Sequence, residues 1–404
     1  MSSSSSLPLP SFLQPTPSEF SQIYRTLTAR EQARRAYSQR SSSTSSGSSS
    51  NGSLGQGGNG QAAYSTRIGT LRENIQNNRY GDIIAYDSSL ILIPSPSTPE
   101  SNSNSNSSFY VNASLIVEPD LGFPPNLLPR RYWVAAQGPT GSTVPSFLSL
   151  LLHPPTSPSL LQSTSHKPLP LINLIVQLTP LVEQNREKCA PYFPSDTLGE
   201  EWFWSPEDRE DGGEEGIWVR YEGRAEGESV REGNGDGERR SWLRVGREGD
   251  EEGRRVMHVE YLGWRDHGVP ESPEHLLSFI NRMNQLNTFL SPSNDSVLPP
   301  ILLHCSAGVG RTGTYLTISS LLPLLSLLRT QPTLSSSLPT TTGRKEPHPL
   351  KEDYGETIQG ELDLVGMTVD RIRDQRTTMV QTKEQLRFVY EALRTAWTQG
   401  DGVK

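Results

Sequence analysis

One segment constrains the fold of this chain more than any other. It is His304-Cys305-Ser306-Ala307-Gly308-Val309-Gly310-Arg311-Thr312-Gly313-Thr314, which follows the apolar run Ile301 to Leu303 and leads into the apolar stretch Thr312 to Leu328. A short aliphatic run entering a glycine-rich turn reads as a buried strand, and the stretch beyond it has the length of a helix. Gly308, Gly310 and Gly313 fit the G-x-G-x-x-G of a dinucleotide-binding turn. That site needs an acid about 20 residues later, and no Asp or Glu occurs from Ser296 through Lys345. The span Gly308 to Gly313 also fits a Walker loop, but Thr314 and Tyr315 occupy the positions of its Lys and hydroxyl residue.

Further strand-like runs lie at Ile83 to Tyr86, Tyr110 to Val117, Tyr132 to Ala136, Leu171 to Leu178, Ile217 to Tyr221, Trp242 to Val245, Arg255 to Leu262 and Val297 to His304. Helical patterns lie at Val144 to Leu152, Pro273 to Leu290, Leu362 to Gln375 and Lys383 to Trp397, and Phe20, Ile23, Tyr24 and Leu27 predict a helix N-capped by Ser18. The alternation predicts an α/β fold, a twisted mixed β-sheet flanked by helices with the glycine-rich loop at the carboxyl end of a central strand. Residues 1–16 and 38–62 are dominated by polar and small residues and are expected to be disordered. Polar breaks at about 94–108, 153–170, 199–254 and 330–356 read as insertions within one domain spanning 17–398, with 399–404 as a tail.

Charge excludes some functions. Between Gly199 and Arg255 there are 18 Asp/Glu against 10 Arg, which accounts for the whole net charge of −8. An acidic chain with no basic stripe is a poor candidate for nucleic-acid binding. The acidic segments alternate with the strands at Ile217, Trp242 and Arg255, so they read as solvated turns of an antiparallel meander. A docking surface for a basic partner is the alternative. Two cysteines, Cys189 and Cys305, make neither a disulfide framework nor a zinc cluster. No run reaches the roughly 18 apolar residues of a membrane span, and the Ser-rich start lacks the pattern of a signal peptide. We expect a soluble cytoplasmic protein, with the nucleus also open to it.

Cys, five residues, then Arg has a chemical logic of its own. Glycines let successive backbone N–H groups of Ser306, Ala307, Gly308, Val309 and Gly310 curl into an anion nest, and the following helix adds its positive end, so a phosphate dianion fits there. The same field favours a thiolate at Cys305, the nucleophile. Arg311 can grip two phosphate oxygens through its planar fork, and Thr312 can hydrogen-bond the sulfur. The bland alternative is a buried, inert Cys305 beside glycines that merely turn the chain.

At every fixed position this segment resembles the signature H-C-x-x-G-x-x-R-[ST] of the protein tyrosine phosphatases, here of the non-receptor type. Over most of residues 61–398 the resemblance continues in order. Asn78-Arg79-Tyr80-Gly81-Asp82 is similar to the phosphotyrosine-recognition loop, which implies that Tyr80 stacks on the substrate ring and Asp82 holds the peptide backbone. Tyr110-Val111-Asn112-Ala113-Ser114 and Ala136-Gln137-Gly138-Pro139 resemble scaffold motifs. Glu183 to Tyr192 resembles the loop in which Glu183 would orient Arg311 and Lys188 would lie near the active site. Val380-Gln381-Thr382 with Gln385 resembles the glutamine motif that positions water and contacts substrate. Trp264-Arg265-Asp266-His267-Gly268-Val269-Pro270 is similar to the mobile loop carrying the general acid, Asp266, although Arg265 replaces a usual Pro and His267 a common aromatic. His304 is expected to be an orienting residue and Cys189 structural.

The resemblance implies hydrolysis of phosphotyrosine in proteins through a phosphocysteine, with no metal or organic cofactor. Two rivals keep the fold: a catalytically weak phosphotyrosine-binding pseudophosphatase, motivated by Arg265 and His267, and a dual-specificity phosphatase. A non-enzymatic scaffold built on the Ser-rich and acidic segments is a third reading.

Overall fold

The computed structural model describes residues 7–400 apart from 44–62, 95–107, 124–126, 129, 164–166, 206–215, 226–236, 265–267, 292–296, 332–333, 335–348 and 351. An eight-stranded mixed sheet runs through it. Its strands are β1 (Ala113–Val117), β2 (Tyr132–Gln137), β3 (Leu174–Gln177), β4 (Glu201–Trp204), β5 (Ile217–Arg224), β6 (Glu238–Arg247), β7 (Arg254–Tyr261) and β8 (Ile301–Cys305), in the order β1-β2-β8-β3-β7-β6-β5-β4. β2, β8, β3 and β7 are mutually parallel, whereas β1 and the β4-to-β6 edge pair antiparallel. β8 is thus central and parallel to both neighbours, which requires cover on both faces.

The period of two in β8 decides which cover each residue meets. Ile301, Leu303 and Cys305 join the core beneath α4 (Pro273–Phe289), α5 (Gly310–Thr330), α6 (Leu364–Arg373) and α7 (Lys383–Gln399), and Leu302 joins the core on the opposite face. The second core is closed by α2 (Val144–Ser149) and α3 (Pro158–Leu161), through Val144, Phe147, Leu148 and Leu160. The expected α/β fold with helices on both faces is therefore observed.

Several boundaries differ from the expectation. Ile83 to Tyr86 is buried but is not a strand, because the Ile83 carbonyl accepts the Asn112 side-chain amide at 2.6 Å in place of a ladder bond. The helix expected from Leu362 begins at Leu364, since the Asp363 carboxylate takes the N–H groups of Val365 and Gly366 as its N-cap. The first helix, α1 (Pro17–Ser43), is capped by Thr16 and not by Ser18: the Thr16 hydroxyl accepts from the Glu19 N–H, and the Glu19 carboxylate accepts from the Thr16 N–H. Pro17 at the first helical position reinforces this start. α1 also continues past residue 38, where disorder was expected to begin.

The tail expected at residues 1–16 is another correction. Residues 1–6 and 44–62 lie outside the described residues, but a short turn at Ser11–Leu13 places Phe12 and Leu13 fully inside the main core. The spacing of Pro8 and Pro10 hid this contact, because proline breaks periodicity without preventing an extended segment from docking. In the acidic region 199–254, where an insertion was expected, residues 206–215 and 226–236 lie outside the described residues and the others join the sheet. They supply β4, β5 and β6, and the exposed turn from Glu248 to Glu252 joins β6 to β7 in the expected meander. The break near 94–108 lies almost wholly outside the described residues, as does most of that near 330–356, whereas the break near 153–170 contributes the buried Leu160 and Leu169.

α1 is fixed to α6 by ion pairs. Arg30 meets the Asp370 carboxylate at 2.8 Å, and the fully buried Arg34 meets Asp370 at 2.5 Å and Asp374 at 2.9 Å. The Tyr64 hydroxyl donates to Asp374 at 2.6 Å. Among the described residues no helix is long and apolar enough to cross a membrane.

Phe12→Ala should lower the unfolding free energy by about 3–5 kcal/mol, the usual cost of emptying a buried aromatic site. Urea unfolding checks it, and a loss below about 0.5 kcal/mol would mean that the segment does not dock in solution.

Candidate active site

β8 ends at Cys305, and the chain then turns through Ser306 to Val309 before entering α5. Where do the carbonyls of that turn go? Ser306 O accepts from the Gly138 N–H at 3.0 Å, and Val309 O accepts from the N–H groups of Val380 at 3.2 Å and Gly313 at 2.9 Å. Arg376, fully buried, takes the two between, donating from Nη2 to Ala307 O at 3.1 Å and from Nε to Gly308 O at 2.8 Å. All peptide bonds here are trans, so each N–H points opposite to the carbonyl before it. With four carbonyls bound outside, the N–H groups of Ala307, Gly308, Val309 and Gly310 face the inner side and form an anion cradle.

The glycines are sterically required. Gly308 has φ +69°, and a Cβ there would lie 2.2 Å from the Ala136 carbonyl oxygen. At Gly313 a Cβ would lie 2.3 Å from the Val380 nitrogen, so this glycine lets α5 approach the segment before Gln381.

Cys305 is 5% exposed, and its Sγ accepts from the Thr312 hydroxyl at 3.3 Å. Arg311 extends toward the same mouth, where its Nη1 donates to Leu178 O at 3.1 Å and to the Glu183 carboxylate at 2.5 Å. Its guanidinium carbon lies 6.0 Å from the centre of the buried Trp264 ring. Glu183 is carried on a hairpin, Val182–Glu183 paired with Arg186–Glu187, whose turn residues Gln184 and Asn185 both have positive φ. Lys188 is half-buried just beyond, with its backbone N–H bonded to Leu181 O.

On the other side of the mouth, the Tyr80 hydroxyl is 2.8 Å from Ser306 Oγ. Arg79 ties this loop down by donating to the carbonyls of Gly138 and Pro139 and to Glu187. Asp82 is exposed and lies 3.8 Å from Arg35 of α1. Gln381 and Gln385 complete the rim. A Cβ added at Gly310 would lie 2.9 Å from Gln385 Nε2 and 3.3 Å from Gln381 Oε1. The Gln385 side-chain oxygen also accepts from the N–H groups of Gln381 and Thr382, and the Thr382 hydroxyl accepts from the Gln385 N–H in return, a capping box that starts α7. The Gln385 oxygen is therefore occupied, which leaves the amide NH2 as the donor available beside the loop.

Beside Cys305, from the preceding residue inward, lies a buried polar chain. His304 Nε2 is 3.0 Å from the Tyr192 hydroxyl, and both Tyr192 and His258 Nε2 reach the Gln177 side-chain oxygen at 3.1 Å. Burial pushes His304 down to about 4 and His258 down to about 3, so both rings are neutral at pH 7. Burial pushes the Cys189 thiol well above its ordinary value.

The structure thus brings together Cys305, the 306–310 loop, Arg311, Thr312, Glu183, Trp264, Tyr80, Gln381 and Gln385, while Asp82, two residues beyond Tyr80, is exposed and approaches Arg35 of α1. Asp266, with Arg265 and His267, lies outside the described residues. Arg376 is the residue that sequence reasoning missed. Its only signal is an Arg three residues before the apolar Met379-Val380, and nothing in the pattern names the carbonyls it binds.

A sheet with this topology, a cysteine at the end of its central parallel strand and a loop whose carbonyls are bound outward form a candidate anion site beside a thiol. A family model for protein-tyrosine phosphatase matches residues 74–157 and 170–336, more than half of the chain, and the chain belongs to that family. It is 29% identical over 320 residues to receptor-type tyrosine-protein phosphatase C of Homo sapiens, covering 79% of this chain and 18% of that protein. It is 27% identical to tyrosine-protein phosphatase 69D of Drosophila melanogaster, over 83% of this chain and 17% of that protein. With tyrosine-protein phosphatase Lar-like of Caenorhabditis elegans it shares 28% identity over 81% of its length and 11% of the relative. The chain spans less than a fifth of these relatives. The expectation of a non-receptor member finds no support in them, since the human relative is receptor-type.

The buried histidines set a pH dependence. Each has a folded value below the unfolded one of about 6.5, so below pH 6.5 the unfolded chain binds more protons and stability falls as pH drops toward 4. His258→Gln removes one such group. Relative to wild type, its unfolding free energy should rise by about 1–2 kcal/mol between pH 7 and pH 5, measured by urea titration at each pH. A constant difference would mean that His258 is accessible to protons in the folded state.

Proposed function

We propose that this protein hydrolyses phosphotyrosine in proteins through a cysteinyl-phosphate intermediate. The observation that carries the reading is the loop after Cys305: its carbonyls are bound outward, Thr312 donates to the Cys305 sulfur, and Arg311 in the first turn of α5 is held by Glu183. The dianion would sit on the N–H groups of residues 307–310, with Arg311 gripping two of its oxygens from a guanidinium preset by Glu183. Cys305 attacks phosphorus, the bond to the tyrosine oxygen breaks, and Asp266 supplies the proton that the oxygen takes away. In the second step water, oriented by Gln381, attacks phosphorus. Asp266 takes its proton, and the Cys305 thiolate leaves, eased by the Thr312 hydroxyl bond.

Selectivity for phosphotyrosine rests on Tyr80. Its hydroxyl lies beside Ser306, so its ring would wall a slot with the cradle at the bottom, beyond the reach of a shorter phosphoserine. This favours the phosphotyrosine-specific reading over a dual-specificity one. The survival of Cys305, Arg311 and Thr312 in one constellation favours an enzyme over a pseudophosphatase. Assignment to a non-receptor form, cytoplasmic and open to the nucleus, belongs to the same proposal, and fractionation of cells expressing the native chain tests it.

Two substitutions test the chemistry. Cys305→Ser should abolish turnover, because an un-ionised hydroxyl cannot replace the thiolate; residual activity within about tenfold of wild type overturns the nucleophile assignment. Asp266→Ala should slow hydrolysis of a phosphotyrosine peptide by about 10²–10⁴, because a leaving oxygen with a pKa of about 10 needs a proton. An aryl phosphate with an acidic leaving group should be affected far less. Equal losses on both substrates would remove Asp266 from the acid role.

A further inference from the structure

Helix α1 presents two adjacent stripes to the rest of the molecule. Arg30 and Arg34 form one, four residues apart, and both pair with carboxylates on α6. Glu31 and Arg35 form the next, rotated by one residue, and they meet the segment before Gln381 and the loop that carries Asp82. Glu31 Oε1 accepts from the hydroxyl of Thr377 at 2.6 Å and the N–H of Thr378 at 3.0 Å. Thr378 is held there at φ +60°, three residues before Gln381. Arg35 donates from Nη2 to the Thr378 hydroxyl at 2.9 Å, lies 3.7 Å from Glu31, and approaches the Asp82 carboxylate at 3.8 Å.

We propose that Arg35 is a positioning residue for substrate recognition, holding the Asp82 carboxylate at the rim of the slot for the peptide backbone that flanks the phosphotyrosine. The inference rests on the reading of the site as a phosphotyrosine phosphatase. Two physical effects support it. Asp82 is 68% exposed on its side chain and Gly81 beside it has no atom within 4 Å of where a Cβ would stand, so the loop tip has little packing of its own to orient the carboxylate. Arg35 gives it a fixed partner, on a helix whose register is locked by the buried Arg34 pairs. Asp82 also carries a negative charge toward an incoming phosphate dianion, and a neighbouring guanidinium offsets that repulsion. Arg35 itself is 40% exposed, tethered at its Thr378 side and open on the other.

The test is steady-state kinetics of Arg35→Ala, Arg35→Lys and Asp82→Asn on a phosphotyrosine peptide and on para-nitrophenyl phosphate, which has no backbone to reach Asp82. Arg35→Ala should raise KM for the peptide about threefold to tenfold with kcat within twofold, a size set by the modest worth of a partly exposed ion pair and the bond it orders. Arg35→Lys should restore most of the peptide KM. In an Asp82→Asn background Arg35→Ala should add less than twofold, because the pair acts as a unit. An unchanged peptide KM in Arg35→Ala overturns the assignment, as does an equal loss on both substrates or full additivity with Asp82→Asn. Wild type that hydrolyses para-nitrophenyl phosphate but not the peptide overturns instead the phosphotyrosine reading on which the inference stands.

Discussion

The outward binding of the carbonyls of residues 306–309 is the constraint on which the site depends. A loop of four peptide groups can present its N–H groups to an anion only if its carbonyls are satisfied behind it, since a buried unsatisfied carbonyl costs about 1–3 kcal/mol. Here the satisfying groups come from three places: the Gly138 N–H after β2, the Val380 N–H before α7, and the side chain of Arg376. Arg376 does this from full burial, where its charge is held by Asn112, Ser114 and the loop carbonyls in place of a carboxylate. Burial lowers its pKa to about 10, and it remains a cation at pH 7. A positive charge directly behind the cradle adds to the field that an anion meets in front of it.

The same logic explains why so many elements converge on one loop. β8 is covered on both faces, so Cys305 and His304 point into different cores, and the loop between β8 and α5 is gripped from each side. The glycines are the points where neighbouring backbone comes closest: Ala136 at Gly308, Val380 at Gly313, and Cys305 itself at Gly138. Rigidity at the nucleophile follows from close approach of backbone to backbone, and rotamer choice has little part in it.

Much of this was legible in the sequence, and the failures have common causes. The strand-loop-helix around Cys305 and the partners Glu183, Tyr80 and Gln381 are local patterns or follow from the resemblance, and the structure brings them to one mouth. The meander was readable because alternation within β5 and β6 survives their heavy charge, which is absorbed by cross-strand pairs such as Arg244 and Arg255 with Glu222. In the same region the acidic Gly-rich composition suggests an insertion, whereas the period of two in Ile217 to Tyr221 and Trp242 to Val245 marks the strands. Phe12 and Leu13 were missed since two apolar residues flanked by proline carry no period. Arg376 and the Arg34 pairs were missed because a buried arginine looks like any other until its partners, hundreds of residues away or on a bare backbone, are in view. Residues whose role is set by backbone geometry leave little trace in a pattern of side chains.

The pairing of α1 with α6 has a bearing on assembly. Arg34 and Asp370 are separated by 336 residues, and such distant contacts are slow to form because the loop between them must close first. On the ribosome the central strand, Cys305 and Arg311 emerge well before Arg376, the threonines that Glu31 holds, and the anchor of α1. A nascent chain can therefore expose the thiol while its loop still lacks the brace behind it and one wall of the recognition slot. Maturation of the site is coupled to synthesis of about the last tenth of the domain, so the loop around Cys305 is braced only after a further stretch of chain has followed its own sequence.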